Sequence, residues 1–285
     1  MTPQRSPLYF ALRRFADNKA AVVSAVILGV ILLMAIFAPL ITPTGYADQA
    51  YLTEGLAFPS AQHWMGVDDL GRDFFTRIVY GARVSLSIGF SAALFAVLIG
   101  IPLGAIAGFY GGWADWVVMR LIELFSVVPP LLAAMLLGAL TNGGFFTIVL
   151  IASLFGWVQV CLLVRAQVKA FREKEFVRAA QALGASPGYI IRRHLIPNSI
   201  SPIIVGFVLA IPLAMMLEAS LSFLGIGVPP PVPSWGQMIN VGMDFMYFYW
   251  HLAVFPTLAL AVTVLATTLL GDGLRDALDP TMKGR

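Results

Sequence analysis

Phe171-Arg-Glu-Lys-Glu-Phe-Val-Arg-Ala-Ala-Gln-Ala-Leu-Gly-Ala-Ser-Pro-Gly-Tyr-Ile-Ile-Arg-Arg-His-Leu-Ile-Pro197 reads as two short helices joined by a tight turn. Its first half is filled with Glu, Lys, Arg, Ala, Gln and Leu, which lose little side-chain freedom in a helix. Gly184 stands where a left-handed residue would end that helix, since glycine has no Cβ to clash there. Ser186 followed by Pro187 is a start signal. The hydroxyl can accept a first-turn N–H, and proline at the first helical position gives up a donor that has no helical partner anyway. Pro197 biases Ile196 away from helical geometry, so the second helix is expected to stop near Ile196.

On both sides of this polar hairpin the chain turns apolar. Over 285 residues, 59% are hydrophobic and 12% charged, against about a quarter charged in soluble domains. That balance excludes an ordinary water-soluble globule. Apolar runs of about twenty residues, enough to cross the hydrocarbon core as helix, lie at 20–41, 84–109, 116–140, 145–168, 199–223 and 249–270. The third carries Arg120 and Glu123 near its start, spaced so that they can pair on one helix face. The expected fold is an all-α integral membrane protein with six transmembrane helices.

The first run is too long, and starts too late, for the apolar core of about 7–15 residues in a signal peptide. About a dozen Val, Ile, Leu and Phe residues, at roughly −0.3 to −0.6 kcal/mol each, favour its insertion by on the order of 5 kcal/mol. It is expected to span the membrane and stay. Arg5, Arg13, Arg14 and Lys19 precede it, and Lys169, Arg172, Lys174, Arg178, Arg192 and Arg193 collect between the fourth and fifth runs. The loop after the first run is acidic, with Asp48, Glu54, Asp68, Asp69 and Asp73 against Arg72 and Arg77. Lys and Arg stay on the cytoplasmic side, so both termini are expected in the cytoplasm.

Three roles compete for 171–196. A DNA-binding helix-turn-helix fits the shape, but spans on either side would hinder docking into a major groove. A basic loop could serve topology alone. Or the segment docks another protein, with Ala179, Ala180 and Gly184 giving a small-residue surface for close approach. Arg178-Ala-Ala180, Gly184 and His194-Leu-Ile-Pro-Asn198 together resemble the EAA loop of binding-protein-dependent ABC importer permeases. Arg178 stands where that loop has Glu, and His194 and Ile196 replace Ile and Leu, while the Gly and Pro spacing is kept.

Three more blocks follow in the expected order: His63-Trp-Met-Gly-Val-Asp-Asp-Leu-Gly-Arg72 running on to Leu86, Glu218-Ala-Ser-Leu-Ser-Phe-Leu-Gly225 running on to Gly236, and Leu270-Gly-Asp-Gly-Leu-Arg275 running on to Pro280. They narrow the resemblance to the dipeptide/oligopeptide/nickel branch of that family. The resemblance implies a type I ABC importer permease bundle in a bacterial inner membrane. In it, 171–196 would be a coupling segment seated in a cleft of an ATPase subunit, with Arg178, Ala179, Ala180, Leu183, Gly184, Ala185, Ser186, Pro187, His194 and Pro197 at the contact. The implied partners are a second homologous permease subunit, two ABC ATPase subunits and a periplasmic or lipid-anchored solute-binding protein. The implied organisation is a cytoplasmic tail (1–19), an anchor span (20–41), a periplasmic loop (42–83), a core permease domain (84–271) with a periplasmic loop at 224–248, and a cytoplasmic tail (272–285).

None of the four lysines follows a glycine; they come after Asn18, Val168, Glu173 and Met282, so the phosphate-cradling Gly-Lys-Ser/Thr motif is absent. His63, His194 and His251 are scattered and Cys161 stands alone, which gives no metal set, nucleophile or disulfide framework. The chain is therefore expected not to be an enzyme and to bind no cofactor itself. By the resemblance, ATP and Mg would be held by partner subunits. The net charge of +3 reads as loop bias rather than a nucleic-acid footprint.

The 42–83 connection is far longer than ordinary linkers, as functional loops often are. Pro229, Pro230, Pro231 and Pro233 stiffen the second external loop. Asp68, Asp69, Arg72, Asp73 and Trp235 are candidates for a periplasmic interface or the translocation path. Glu218, ionisable within a span, is a functional candidate by default; path lining and structural hydrogen bonding both fit it. Met215, Met216, Met238, Met243 and Met246 read as packing residues. Dipeptides, longer peptides, glutathione-like molecules and nickel complexes all suit the branch as solutes. Two rival functions are a secondary transporter driven by an ion gradient, which would need ionisable groups in its span centres, and a scaffold or sensor that transports nothing.

Overall fold

The computed structural model of the chain describes residues 7–141 and 143–278; Arg5 and the tail 279–285, Pro280 included, lie outside the described residues. Among the described residues the regular structure is helical, with one isolated bridge between Val67 and Asp73. Five helices are long and apolar enough to cross a membrane, and a sharply bent pair passes the same test together, which makes up to six spans if the pair counts as one. All six expected apolar runs lie on these helices, with revised boundaries, the third of them on the bent pair.

Helix α1 (Pro7–Asp17) turns at Asn18 into α2 (Lys19–Ile36), whose first turn is capped where Ala21 N–H donates to Asn18 Oδ1 at 3.1 Å. After a break at Phe37, the short α3 (Ala38–Ile41) restarts with Pro39 in its first turn. Helix α4 (Phe74–Tyr110) starts ten residues before the expected 84. Asp73 caps it by accepting from Thr76 N–H at 2.7 Å, and Arg77 fits inside because Asp68 and two backbone carbonyls satisfy its guanidinium.

The third run is not one straight helix. It consists of α5 (Gly112–Val127) and α6 (Pro130–Thr141), bent by 79°. Pro129 and Pro130 at the junction remove two backbone donors and crowd the preceding turn. On α5, Arg120 pairs with Glu123 at 2.6 Å and lies over the Trp116 ring.

Helix α7 (Phe145–Arg172) lies against α4 along a ridge of glycines. A Cβ on Gly100, Gly104 or Gly108 would come within 2.6–2.9 Å of the Trp157, Cys161 or Arg165 carbonyl respectively. Four-residue spacing puts these glycines on one face and lets the two backbones approach closely, the usual device where lipid supplies no hydrophobic drive for helix association. Arg165, within the fourth apolar run, is not left bare. Its Nε and a terminal nitrogen both donate to the Asp115 carboxylate of α5, the second at 2.6 Å. Helices α11 (Ile200–Phe223) and α13 (His251–Leu278) complete the bundle, with the short α12 (Trp235–Asp244) between them at the end that also carries 42–73.

Candidate functional site

Helix α7 ends at Arg172, and α8 (Glu175–Ala182) begins the polar hairpin. Gly184 takes φ +81°, Gly184 N–H donates to the Gln181 carbonyl at 2.9 Å, and Ala185 N–H donates to the Ala180 carbonyl at 3.0 Å. Those two bonds are a Schellman stop. Ser186 Oγ then accepts from Tyr189 N–H at 3.4 Å and opens α9 (Pro187–Ile190). The expected stop near Ile196 does not occur. A π-turn over Ile191–Leu195 hands the chain to α10 (Ile196–Asn198), and Asn198 Nδ2 donates to the His194 carbonyl. The wider turn accommodates Pro197 in the first turn of α10, where its missing N–H costs no helical bond.

The hairpin has two faces. Val177, Ile190 and Leu195 are fully buried in one cluster with Ala105 and Phe109 of α4, Val164 and Val168 of α7 and Ile203 of α11. At roughly 1.5–3 kcal/mol for each large side chain buried, this face fixes the hairpin to the ends of three spanning helices. The other face is open. Leu183 is 89% exposed, Tyr189 and Phe176 are exposed too, and Arg178, Ala179, Gly184, Ser186, Pro187 and Pro197 stand with them on the surface. Ala180, Ala185 and His194 are half-buried, with His194 between the Phe176 and Tyr189 rings. All ten residues singled out in this segment thus lie on one rigidly mounted element. Leu183, Phe176 and Tyr189 thus give this polar hairpin an exposed apolar face.

At the opposite end, the acidic loop is ordered around Asp68. Its Oδ2 accepts from Arg72 Nε at 2.6 Å and lies 3.4 Å from Arg77 Nε, while Oδ1 accepts from the Leu70 and Arg72 N–H groups. Arg77 also donates to the carbonyls of Tyr46 and Pro231, tying the two external loops together. Trp235 is buried, its indole N–H donating to the Ile78 carbonyl at 3.0 Å and its backbone N–H to Ser85 Oγ at 3.3 Å. Glu218 is 0% exposed and accepts from Ser222 Oγ at 2.7 Å and Ser85 Oγ at 3.3 Å. Asp68, Arg72, Asp73, Glu218 and Trp235 are therefore inside the protein, bonded to their own chain. Asp69 alone of that group is on the surface.

A feature that reading by charge does not find lies between α4, α6, α7 and α11. A cavity of about 830 Å³ opens on the side of the bundle, with Ala92, Ala96, Gly156, Gln159, Leu213 and Ser220 in its wall. The wall carries no charge. Its signal in the sequence was small residues four apart, Ala92 and Ala96, Ala152 and Gly156, Gly206, Ala210 and Ala214, which share helix faces without filling them.

Crossing helices around a side-opening cavity, with a mounted hairpin at one end, define a multi-pass membrane permease. The chain belongs to the binding-protein-dependent transport system inner membrane component family, whose model matches residues 100–284. The N-terminal TM domain of oligopeptide transport permease C matches residues 6–59. The oligopeptide transport system permease protein OppC of Bacillus subtilis is 41% identical over 96% of this chain and 89% of its own length. The dipeptide permease DppC of Alkalihalophilus pseudofirmus is 41% identical (98% and 91% covered), and the glutathione permease GsiD of Pectobacterium atrosepticum 39% (98% and 93%). Among solved structures, the MetNI methionine ABC transporter in an inward-facing conformation aligns at TM-score 0.55 and 18% identity, covering 71% of this chain and 96% of that one. That likeness establishes the type I importer fold.

Proposed function

We propose that this chain is one permease half of an ATP-driven importer for short peptides or closely related solutes, working by alternating access. The observation that carries the reading is the hairpin itself, mounted on α4, α7 and α11 by buried aliphatics while Leu183 and its neighbours are bare. A push on such an element reaches three spanning helices at once. The chain has no phosphate-binding motif of its own, so the push comes from two ATPase subunits that hold ATP and Mg. Arg178, Ala179, Ala180, Leu183, Gly184, Ala185, Ser186, Pro187, His194 and Pro197 form the contact.

The excess of Lys and Arg on and around the hairpin supports a cytoplasmic position for it and for both termini. The 42–73 and 225–250 loops then face the periplasm, where Asp69 and the exposed parts of both loops meet a solute-binding protein. The side-opening cavity is one wall of the path, and a second permease subunit supplies the other. Small, uncharged walls suit a solute whose recognition is left to the binding protein. The relatives named for oligopeptides, dipeptides and glutathione support a solute containing peptide bonds.

The test is uptake of radiolabelled dipeptides, longer peptides and glutathione by cells carrying this chain with its partner subunits. Uptake lost on ATP depletion and kept on collapse of the proton gradient supports the reading. The reverse pattern makes the chain a secondary transporter, and no uptake of any of these solutes removes the peptide assignment.

A further inference from the structure

On the outside of the bundle, α2 packs against α13 and the pair leaves a groove beside the contact. They touch where a Cβ on Gly273 would lie 2.2 Å from the Cβ of Ala21. Beyond that contact a groove of about 450 Å³ opens between them, walled by Val23, Ile27, Val262, Leu265 and Leu269. One charged residue borders it, Lys19, at the end where α1 turns into α2. Arg13 is exposed on α1, which packs against α13 at the same end; Arg14, Asp17, Asp272, Arg275 and Asp276 are the other described charges on these elements there, and none of them borders the groove.

We propose that this groove holds an acyl chain of an anionic phospholipid whose phosphate is bound by Lys19. A glycerophospholipid carries its negative charge at the end of its apolar chains. The groove carries its positive charge at the end of its apolar wall, so charge and shape match in the same order. Basic pockets between spanning helices commonly take such headgroups. A helix from another subunit would fill the wall but leave Lys19 facing apolar side chains, at the cost of an unpaired charge.

The experiment titrates the purified, delipidated full-length protein in detergent with phosphatidylglycerol or phosphatidylcholine of identical chains, counting bound lipids by native mass spectrometry. The expected result is one phosphatidylglycerol bound about fivefold more tightly than phosphatidylcholine, the factor equivalent to about 1 kcal/mol for one basic residue near the headgroup. Lys19→Arg keeps that preference and Lys19→Gln removes it. Val23→Trp, at an exposed position in the wall, fills the groove and abolishes the tight site while leaving Lys19 in place, so the proposal is tested even where Lys19→Gln does not accumulate. Equal binding of the two lipids by the wild type, or a preference that survives Lys19→Gln or Val23→Trp, overturns the proposal. So does loss of the preference when the chain is assembled with a second permease, which would mean a protein helix occupies the groove. The readout does not depend on which solute is carried or which way the chain faces.

Discussion

The Ala185 N–H reaches the Ala180 carbonyl at 3.0 Å across Gly184, which takes φ +81° and has open space around the position of a Cβ. A side chain at 184 therefore meets no neighbour, and its cost is backbone strain alone, about 1–2 kcal/mol for an ordinary residue in left-handed geometry. Asparagine tolerates that geometry better. Gly184→Asn is expected to keep most uptake, and Gly184→Val to lose most of it at normal membrane levels. Equal uptake by both variants would mean that the turn does not need its shape.

Glu218 is held by Ser222 and Ser85 under the buried Trp235. Glu218→Gln preserves the shape and the acceptor, whereas Glu218→Leu strands the two hydroxyls, at about 1–3 kcal/mol for each buried group left unsatisfied. Thermal unfolding of the purified protein should show a clear loss for Glu218→Leu and a small one for Glu218→Gln, with uptake kept in the latter. Abolished uptake in a stable Glu218→Gln protein would instead give the carboxylate a direct part in transport.

Gly104 faces the Cys161 carbonyl at a spacing that leaves no room for a Cβ. Gly104→Leu must push α4 and α7 apart, and overpacking of this kind costs about 1–3 kcal/mol or more. Gly29 has open space around it, so Gly29→Leu is the matched control. Membrane levels of folded protein are expected to fall for Gly104→Leu and to hold for Gly29→Leu.

Gln159 is exposed within the side-opening cavity. Gln159→Trp adds bulk there without disturbing the core, so uptake should fall several-fold at unchanged protein levels. Unchanged uptake with Gln159→Trp would place the path elsewhere.

Much of this architecture was legible because a membrane leaves few choices. Runs of twenty apolar residues must be helices, and Gly184, Ser186 and Pro187 have local chemistry that acts regardless of context. Other features were hidden because they depend on partners far along the chain. Arg77 reads as a loop residue until Asp68 and the carbonyls of Tyr46 and Pro231 are seen around it. Arg165 hides in an apolar run because Asp115, fifty residues earlier, accepts its hydrogen bonds. The break between α5 and α6 was announced by Pro129-Pro130, but hydropathy averages over it. The cavity leaves no charged or motif residue to notice, since what builds it is the smallness of its walls.

Leu183 offers the most direct test of the hairpin as the grip of an external motor. Cys161 is the only cysteine, and it is buried, so a Cys161→Ala background makes Leu183→Cys the single thiol. With a photoactivatable maleimide at that position in the assembled transporter, a crosslink to an ATPase subunit is expected, and no labelling by an impermeant maleimide added outside intact cells. Labelling from outside, or a functional transporter in which Leu183→Cys crosslinks to no ATPase, would contradict that role for the hairpin.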